Sequence, residues 1–283
     1  MIPLPSAETP DTVSIPQMRA LVVVPTYNEA DNIAPLVAGI LAQPGDLHVL
    51  IVDDNSPDGT GQIADNLAQD PHLAGRVYAL HRGAKSGLGR AYLAGFAWGL
   101  ERGYDALIEM DADFSHDPIY LPALLRGAAD ADLVIGSRYL NGISVINWPL
   151  RRILLSWGAN RYVQAVTRLG ARDCTSGFRL YRRRVLEAID LPSVRSNGYS
   201  FQVEMTFRTQ LAGFRVTEVP IIFVERRSGQ SKMSQSVIWE SILMPLKLRG
   251  RARALRRRLG RAPTPSAPLT DGHAPPASSL HIP

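Results

Sequence analysis

Asp111 and Asp113 are the residues whose type and spacing most directly suggest chemistry. They follow Ala106 to Met110, which reads as an apolar strand. In extended backbone, residues i and i+2 point to the same side, so both carboxylates would face one point. Two carboxylates so placed repel each other unless a cation lies between them. Mg2+ or Mn2+ takes one or two carboxylates and completes its shell with water and substrate phosphate. Asp-x-Asp alone is a common strand ending, and its weight comes from the architecture around it.

Two earlier strand ends also carry polar groups. Pro25-Thr26-Tyr27-Asn28-Glu29 closes the first, and Asp53-Asp54-Asn55-Ser56-Pro57-Asp58-Gly59-Thr60 closes the second after Val52. A ring such as Tyr27 can stack on a base, and the Asp54 carboxylate can accept hydrogen bonds from base or ribose donors. Asp54 and Asp58 equally suit the Asn-Ser-Pro-Asp-Gly turn, and the two roles are compatible. Gly59 to Ala64 matches the dinucleotide fingerprint G-x-G-x-x-A. That fingerprint should follow a strand directly, whereas six residues part Val52 from Gly59 and three aspartates would crowd a pyrophosphate. A dehydrogenase is therefore disfavoured. Cations come later in the chain: Arg138 after Leu133 to Ile135, then Arg226, Arg227 and Lys232 in a loop with a glycine. Such a loop suits a movable phosphate clasp, although a solvated surface loop has the same composition.

The elements that must position these groups alternate. Strands are expected at Ala20 to Val24, His48 to Val52, Val77 to Leu80, Ala106 to Met110 and Leu133 to Ile135. Between them lie helical stretches: the stripe Ile33, Leu36, Val37, Ile40, Leu41; Thr60 to Ala68; the run through Leu93, Phe96 and Leu100; and a helix starting near Pro118. This predicts an α/β fold, a mostly parallel sheet flanked by helices, with ligands beyond the carboxyl ends of the strands. After Tyr139 the alternation loosens. Ile153 to Leu169, Phe201 to Leu211 and Ser234 to Leu259 read as helices, Phe178 to Tyr181 as a short extended piece, and Val219 to Val224 as one last strand.

Bulk composition narrows the classes. With 283 residues, 45% hydrophobic and 20% charged, the chain can bury an ordinary core. The lone Cys174 excludes a disulfide framework and any multi-cysteine metal site, and Asp173-Cys174-Thr175 offers no activating base, so it is expected to pack. The net charge of +5 sits mostly between Lys247 and Arg261, where eight basic residues occur without an acidic one. A basic arm suits an anionic membrane surface or nucleic acid, or simply a solvated tail. Residues 1–19 read as a flexible, proline-rich leader without signal-peptide features, and no apolar run reaches the roughly 20 residues that span a bilayer.

Together the motifs resemble a known family. Val22 to Glu29, Val52 to Thr60 and Asp111 to His116 are similar to those of inverting family-2 nucleotide-sugar glycosyltransferases with the GT-A fold. Gly136-Ser137-Arg138-Tyr139, Ser176 to Tyr181, Gly198 to Met205 and Arg226 to Lys232 resemble the dolichol-phosphate and polyprenol-phosphate mannose synthases. The resemblance implies inverting, metal-dependent transfer from GDP-mannose to a polyprenyl monophosphate lipid, with Mg2+ or Mn2+ as cofactor. UDP-glucose as donor is the alternative. It implies that Pro25, Tyr27, Glu29, Val52 and Asp54 hold the nucleotide. Asp111, Ala112 and Asp113 would meet the metal and diphosphate, and Arg138, Arg226 and Lys232 the phosphates, with Asp113, Arg138, Arg226 and Lys232 in catalytic roles. Some members carry a metal-ligating Gln where this chain has Ser115, a poorer ligand. The missing Gln-x-x-Arg-Trp signature argues against polymer synthesis.

The implied organisation is a leader at 1–19, a GT-A domain at 20–234 with membrane-facing elements at its C-terminal end, an amphipathic basic helix at 235–260 and a disordered tail at 261–283. Trp148, Leu150, Ile153, Leu154, Leu155 and Trp157, interleaved with Arg151 and Arg152, have the composition of an interfacial segment, as does the stripe Ile238, Trp239, Ile242, Leu243, Leu246. Ordinary core packing is the competing reading of both. The expected setting is cytoplasmic, peripheral on the cytoplasmic face of a membrane, with a membrane-spanning partner protein as anchor and no nucleic-acid partner.

Overall fold

A computed structural model describes residues 15–73, 75–225 and 235–259, the last with side chains from Ile242 onward. The leader before residue 15, the loop 226–234 with Arg226, Arg227 and Lys232, and the tail from 260 lie outside the described residues, as do the side chains of Ile238 and Trp239.

Alternation of β-prone and helical runs gives β1 (Arg19–Thr26), α1 (Ala30–Leu41), β2 (Asp46–Asp53), α2 (Thr60–Gln69), β3 (Val77–His81), α3 (Leu88–Glu101) and β4 (Ala106–Glu109). A 3-10 turn at Pro118–Tyr120 then runs into α4 (Leu121–Gly127) and β5 (Leu133–Ser137). Asp117 begins that turn by accepting a hydrogen bond from the Ile119 N–H at 3.0 Å, so the helix expected at Pro118 starts as a tighter turn. Beyond it come β6 (Val145–Ile146), α5 (Leu150–Thr167), β7 (Arg179–Arg182), α6 (Arg183–Ala188), α7 (Gly198–Leu211), β8 (Val216–Pro220), β9 (Phe223–Val224) and α8 (Gln235–Arg258).

The seven-stranded sheet has the order β3-β2-β1-β4-β7-β5-β8, with every pairing parallel except those of β7, which is antiparallel to both β4 and β5. The single strand expected at Val219 to Val224 is two. β8 ends at Pro220, whose ring removes a ladder donor, and β9 leaves to pair with β6 in a two-stranded sheet.

Successive residues of β1 feed opposite cores, Leu21 and Val23 to one, Ala20, Val22 and Val24 to the other. Of the apolar stripe of α1, Ile33, Leu36, Val37 and Ile40 are buried as their spacing predicts, and Leu41 at its end is partly buried. Cys174 is fully buried, and burial pushes its thiol up to about 12, so it packs rather than reacts. Against β1 and β4, α3 lies close because Gly95 and Gly99 present no side chain there. A Cβ on Gly95 would overlap Val23 Cγ1, and one on Gly99 would stand 2.6 Å from Leu107 Cδ2.

This predicts opposite effects for two helical glycines. Gly95→Ala should lower stability by about 1–2 kcal/mol, because displacing a stiff β-branched neighbour outweighs the helix-propensity gain. Gly158→Ala in α5, where a Cβ meets nothing within 4 Å, should be neutral or stabilising by up to about 1 kcal/mol. Urea unfolding midpoints check both.

Candidate active site

Three neighbouring parallel strands, β4, β1 and β2, end side by side and carry acidic and aromatic groups singled out in the sequence, with β3 next to β2. Just past β4, Asp111 accepts a hydrogen bond on Oδ1 from the Tyr92 hydroxyl of α3 at 3.0 Å. Its backbone N–H donates to His116 Nδ1 at 3.3 Å. Burial holds the His116 imidazole below its usual pKa, so a neutral ring accepts at Nδ1 beside the carboxylate. Phe114 takes a left-handed φ of 59°, and this doubling back lets Asp113 Oδ1 accept from the Ser115 N–H at 3.1 Å. Ser115 and Ala112 are buried, at 2% and 4% exposure.

The aspartates after β2 divide their work. Asp53 accepts from Thr26 Oγ1 at 3.0 Å and the Ser56 N–H at 3.1 Å, while Asp58 accepts from the Thr60 N–H at 3.0 Å and the Ala30 N–H at 3.1 Å. Those two build the turn. Asp54 instead meets Arg82, just past β3, whose Nη1 donates to Oδ1 at 2.6 Å. Tyr27 is exposed, with the Lys85 ammonium 3.8 Å above its ring. The Glu29 N–H donates to Thr60 Oγ1 at 2.9 Å, and its Oε2 accepts from Asn32 Nδ2 at 2.7 Å. Pro25 is half-buried, and the Val52 side chain is wholly within the core.

Arg138, at the end of β5, is 4% exposed and forks onto Asp173, Nε to Oδ2 and Nη2 to Oδ1, each at 2.7 Å. Nη2 also donates to Thr175 Oγ1 at 2.8 Å. Burial works to raise the Asp173 carboxyl, but the Arg138 charge and its hydrogen bonds outweigh it and hold the group below the usual carboxylate range. The Phe223 ring links this pair to the acidic end of the crevice, 5.4 Å from the Arg138 guanidinium and 5.5 Å from the His116 ring. Arg138 also lines a largely apolar cavity of about 420 Å3 formed with Trp148, Leu154, Tyr199, Val203 and Ile242 of the segments around α5, α7 and α8.

One functional feature escapes a sequence reading. β4 is not wholly apolar: it carries Glu109, fully buried, whose Oε2 accepts from Gln202 Nε2 of α7 at 2.5 Å. Desolvation pushes the Glu109 carboxyl up to about 8, with Asp111 adding to the rise and Arg179 opposing it. At neutral pH it is a neutral acid, so it adds no third charge behind Asp111. A single Glu in a five-residue run was the only signal of it. The partners Tyr92, Arg82, Asp173 and Gln202 gave none, because each lies far away in sequence.

Polar groups gathered at the carboxyl edge of a mostly parallel sheet flanked by helices, with a carboxylate pair past β4 and an apolar cavity beside Arg138, give the chain an α/β architecture of the GT-A type. Residues 21–190, more than half of the chain, match the model of Glycosyl transferase family 2. The chain belongs to that family and is a glycosyltransferase. It is 51% identical over 248 residues to the undecaprenyl-phosphate mannosyltransferase of Micrococcus luteus, covering 86% of this chain and 100% of the relative. It is 52% identical over 239 residues to the polyprenol monophosphomannose synthase of Mycolicibacterium smegmatis, covering 84% and 89%. In fold it is similar to glucosyl-3-phosphoglycerate synthase from Mycobacterium tuberculosis, solved with Mn2+, UDP and phosphoglyceric acid, at 18% identity and a TM-score of 0.62 over 82% of this chain and 79% of that one.

Glu109 makes stability pH-dependent in a definite direction. The folded chain keeps its proton up to pH about 8, whereas an unfolded glutamate releases it near 4.5, so the folded state binds more protons between these values. Stability from this group therefore falls as pH rises through that window. Glu109→Gln should remove the loss. Melting temperatures from pH 5 to 9 should show the variant gaining steadily on the wild type, and parallel curves would contradict the assignment.

Proposed function

We propose that this glycosyltransferase transfers mannose from GDP-mannose to a polyprenyl monophosphate with inversion, giving polyprenyl phosphate β-mannose, with Mg2+ or Mn2+ as cofactor. The observation that carries the reading is the Asp111 and Asp113 pair at the end of β4, joined through His116, Phe223 and Arg138 to an apolar cavity. The printed names of the two relatives support the same sugar and acceptor class.

The residues present suit the metal. Asp111 and Asp113 stand two residues apart just past β4, and their all-oxygen donors suit a hard cation that fills its shell with water and phosphate. Asp111 and Asp113 would hold it, and when bound it supplies positive charge against the diphosphate leaving group. Tyr27 and Asp54 hold the nucleoside. Arg226 and Lys232 belong with the phosphates by their place in the motif. Arg138 turns Nε and Nη2 to the protein interior, so its Nη1 is the donor that would greet the acceptor phosphate at the cavity mouth. That phosphate is already an anion near neutral pH, with a second pKa of about 6, and needs no dedicated general base. Attack on the anomeric carbon opposite the departing diphosphate inverts its configuration.

The lipid chain would lie in the apolar cavity, and the surface nearby suits a membrane interface. On α5, Leu150 is 70% exposed and Leu154 58%, and Ile242, Leu243 and Leu246 of α8 are exposed too, so core packing does not account for them. The basic run of α8 follows directly and matches anionic lipid headgroups. No helix of the described residues is long and apolar enough to cross a membrane. A cytoplasmic, peripheral position with a membrane-spanning partner protein completes the proposal.

Purified protein given radiolabelled GDP-mannose, a short polyprenyl phosphate and Mn2+ or Mg2+ should yield labelled lipid, and chelation should abolish it. Asp113→Ala should cost about 100- to 1,000-fold in turnover. Labelling from UDP-glucose instead would overturn the donor, and full turnover in chelator would overturn the metal scheme.

A further inference from the structure

Tyr92 of α3 is a fully buried phenol. Its ring lies within 10° of parallel to that of Phe201 of α7, 6.2 Å away, and within 26° of that of Phe96, one turn on along α3, at the same separation. One turn earlier, Gly89 makes room for Phe201, since a Cβ there would stand 2.9 Å from Phe201 Cδ2. Gly95 and Gly99 bring the same helix close to β1 and β4. All of these contacts are made by the ring and the helix, and a phenylalanine would serve them equally. The hydroxyl is what the packing leaves unexplained, and a buried Tyr O–H needs an acceptor.

That acceptor is Asp111 Oδ1, at 3.0 Å. Tyr92 is 0% exposed, whereas the Asp111 side chain is 32% exposed, so the donor stands on the protein side of the carboxylate. The root of Asp111 is tied as well, because its backbone N–H donates to His116 Nδ1. Held at both places, the carboxylate keeps one orientation at the end of β4. A carboxylate has about four acceptor positions, so a bond from Tyr92 and ligation of a cation are compatible. A phenol also donates without bringing charge. A lysine or arginine in its place would pair with Asp111 and repel a second cation, whereas a neutral O–H orients the group and leaves its charge intact.

We infer that Tyr92 is a positioning residue: its O–H holds the Asp111 carboxylate in the orientation that ligates the divalent cation. The inference rests on the cation reading proposed above.

Tyr92→Phe removes one oxygen and keeps both ring stacks. Calorimetric titration of the full chain with Mn2+, in the presence of GDP, should show metal binding about 10-fold weaker in this variant than in wild type. GDP binding in chelator should be unchanged, and so should the melting temperature in chelator to within a few degrees. Phe201→Leu, which keeps the hydroxyl but unseats the ring, should lose a smaller share of the Mn2+ affinity. In an Asp111→Asn background, Tyr92→Phe should leave the residual Mn2+ affinity as it is, because the hydroxyl acts through that carboxylate. Undiminished Mn2+ affinity in Tyr92→Phe or in Phe201→Leu, or an equal loss from Tyr92→Phe in both backgrounds, would overturn the inference and leave the cation reading standing. A wild-type chain that binds Mn2+ no better than GDP alone does would overturn the cation reading, and this inference with it.

Discussion

Arg179 places a full positive charge where no solvent reaches it. Its side chain is 0% exposed, and it survives there because each of its three nitrogens meets an acceptor: the Ser176 carbonyl at 2.5 Å, the Cys174 carbonyl at 2.7 Å, the Gln202 carbonyl at 2.9 Å and Thr206 Oγ1. A buried cation without such partners would be severely destabilising, whereas one hydrogen-bonded through all three nitrogens rigidifies what it touches. What it touches is the rear wall of the site. It ties the start of β7 to the loop before it and to α7, so the one antiparallel strand is pinned between β4 and β5.

The charges of the crevice follow from that anchor. Arg179 stands behind Glu109 and Asp173 and favours the ionised form of both, yet the two resolve differently. Asp173 gains the fork from Arg138 and stays ionised, whereas Glu109 has an amide for its close partner and burial keeps it protonated. His116 is neutral for the same reason of burial. Around Asp111 and Asp113 the second layer is thus either neutral or internally paired. On the proposed reading, the carboxylates that meet the divalent cation are those of Asp111 and Asp113, with Glu109 neutral and Asp173 paired with Arg138.

Much of this was legible in the sequence, because the signals are local. The strands from Ala20 to Ile135 and the helices between them announce themselves by period, and Asp111 and Asp113 by spacing and position. Tertiary facts were not legible. Nothing in Arg179-Leu180-Tyr181-Arg182 says that this strand runs antiparallel. α7 is buried nearly all round, against the amphipathic rule: Phe201, Val203, Met205 and Phe207 pack in the core, while Gln202 bonds to Glu109 of the sheet and Arg208 to Glu204 within the helix. The aspartate run after β2 divides its labour only once Arg82, 28 residues on, is brought beside Asp54. Arg138 reads as a free phosphate clamp until Asp173, 35 residues away, takes two of its nitrogens.

The central claim is that the carboxylate pair after β4 joins a divalent cation to the nucleotide diphosphate. Its most direct test is Mn2+ binding followed by electron paramagnetic resonance, with and without GDP, in wild type and in Asp111→Asn and Asp113→Asn. GDP should tighten Mn2+ binding in wild type, Mn2+ should tighten GDP by the same factor, and either substitution should remove the coupling. Mn2+ affinity that ignores GDP in wild type, or coupling that survives both substitutions, would contradict the account.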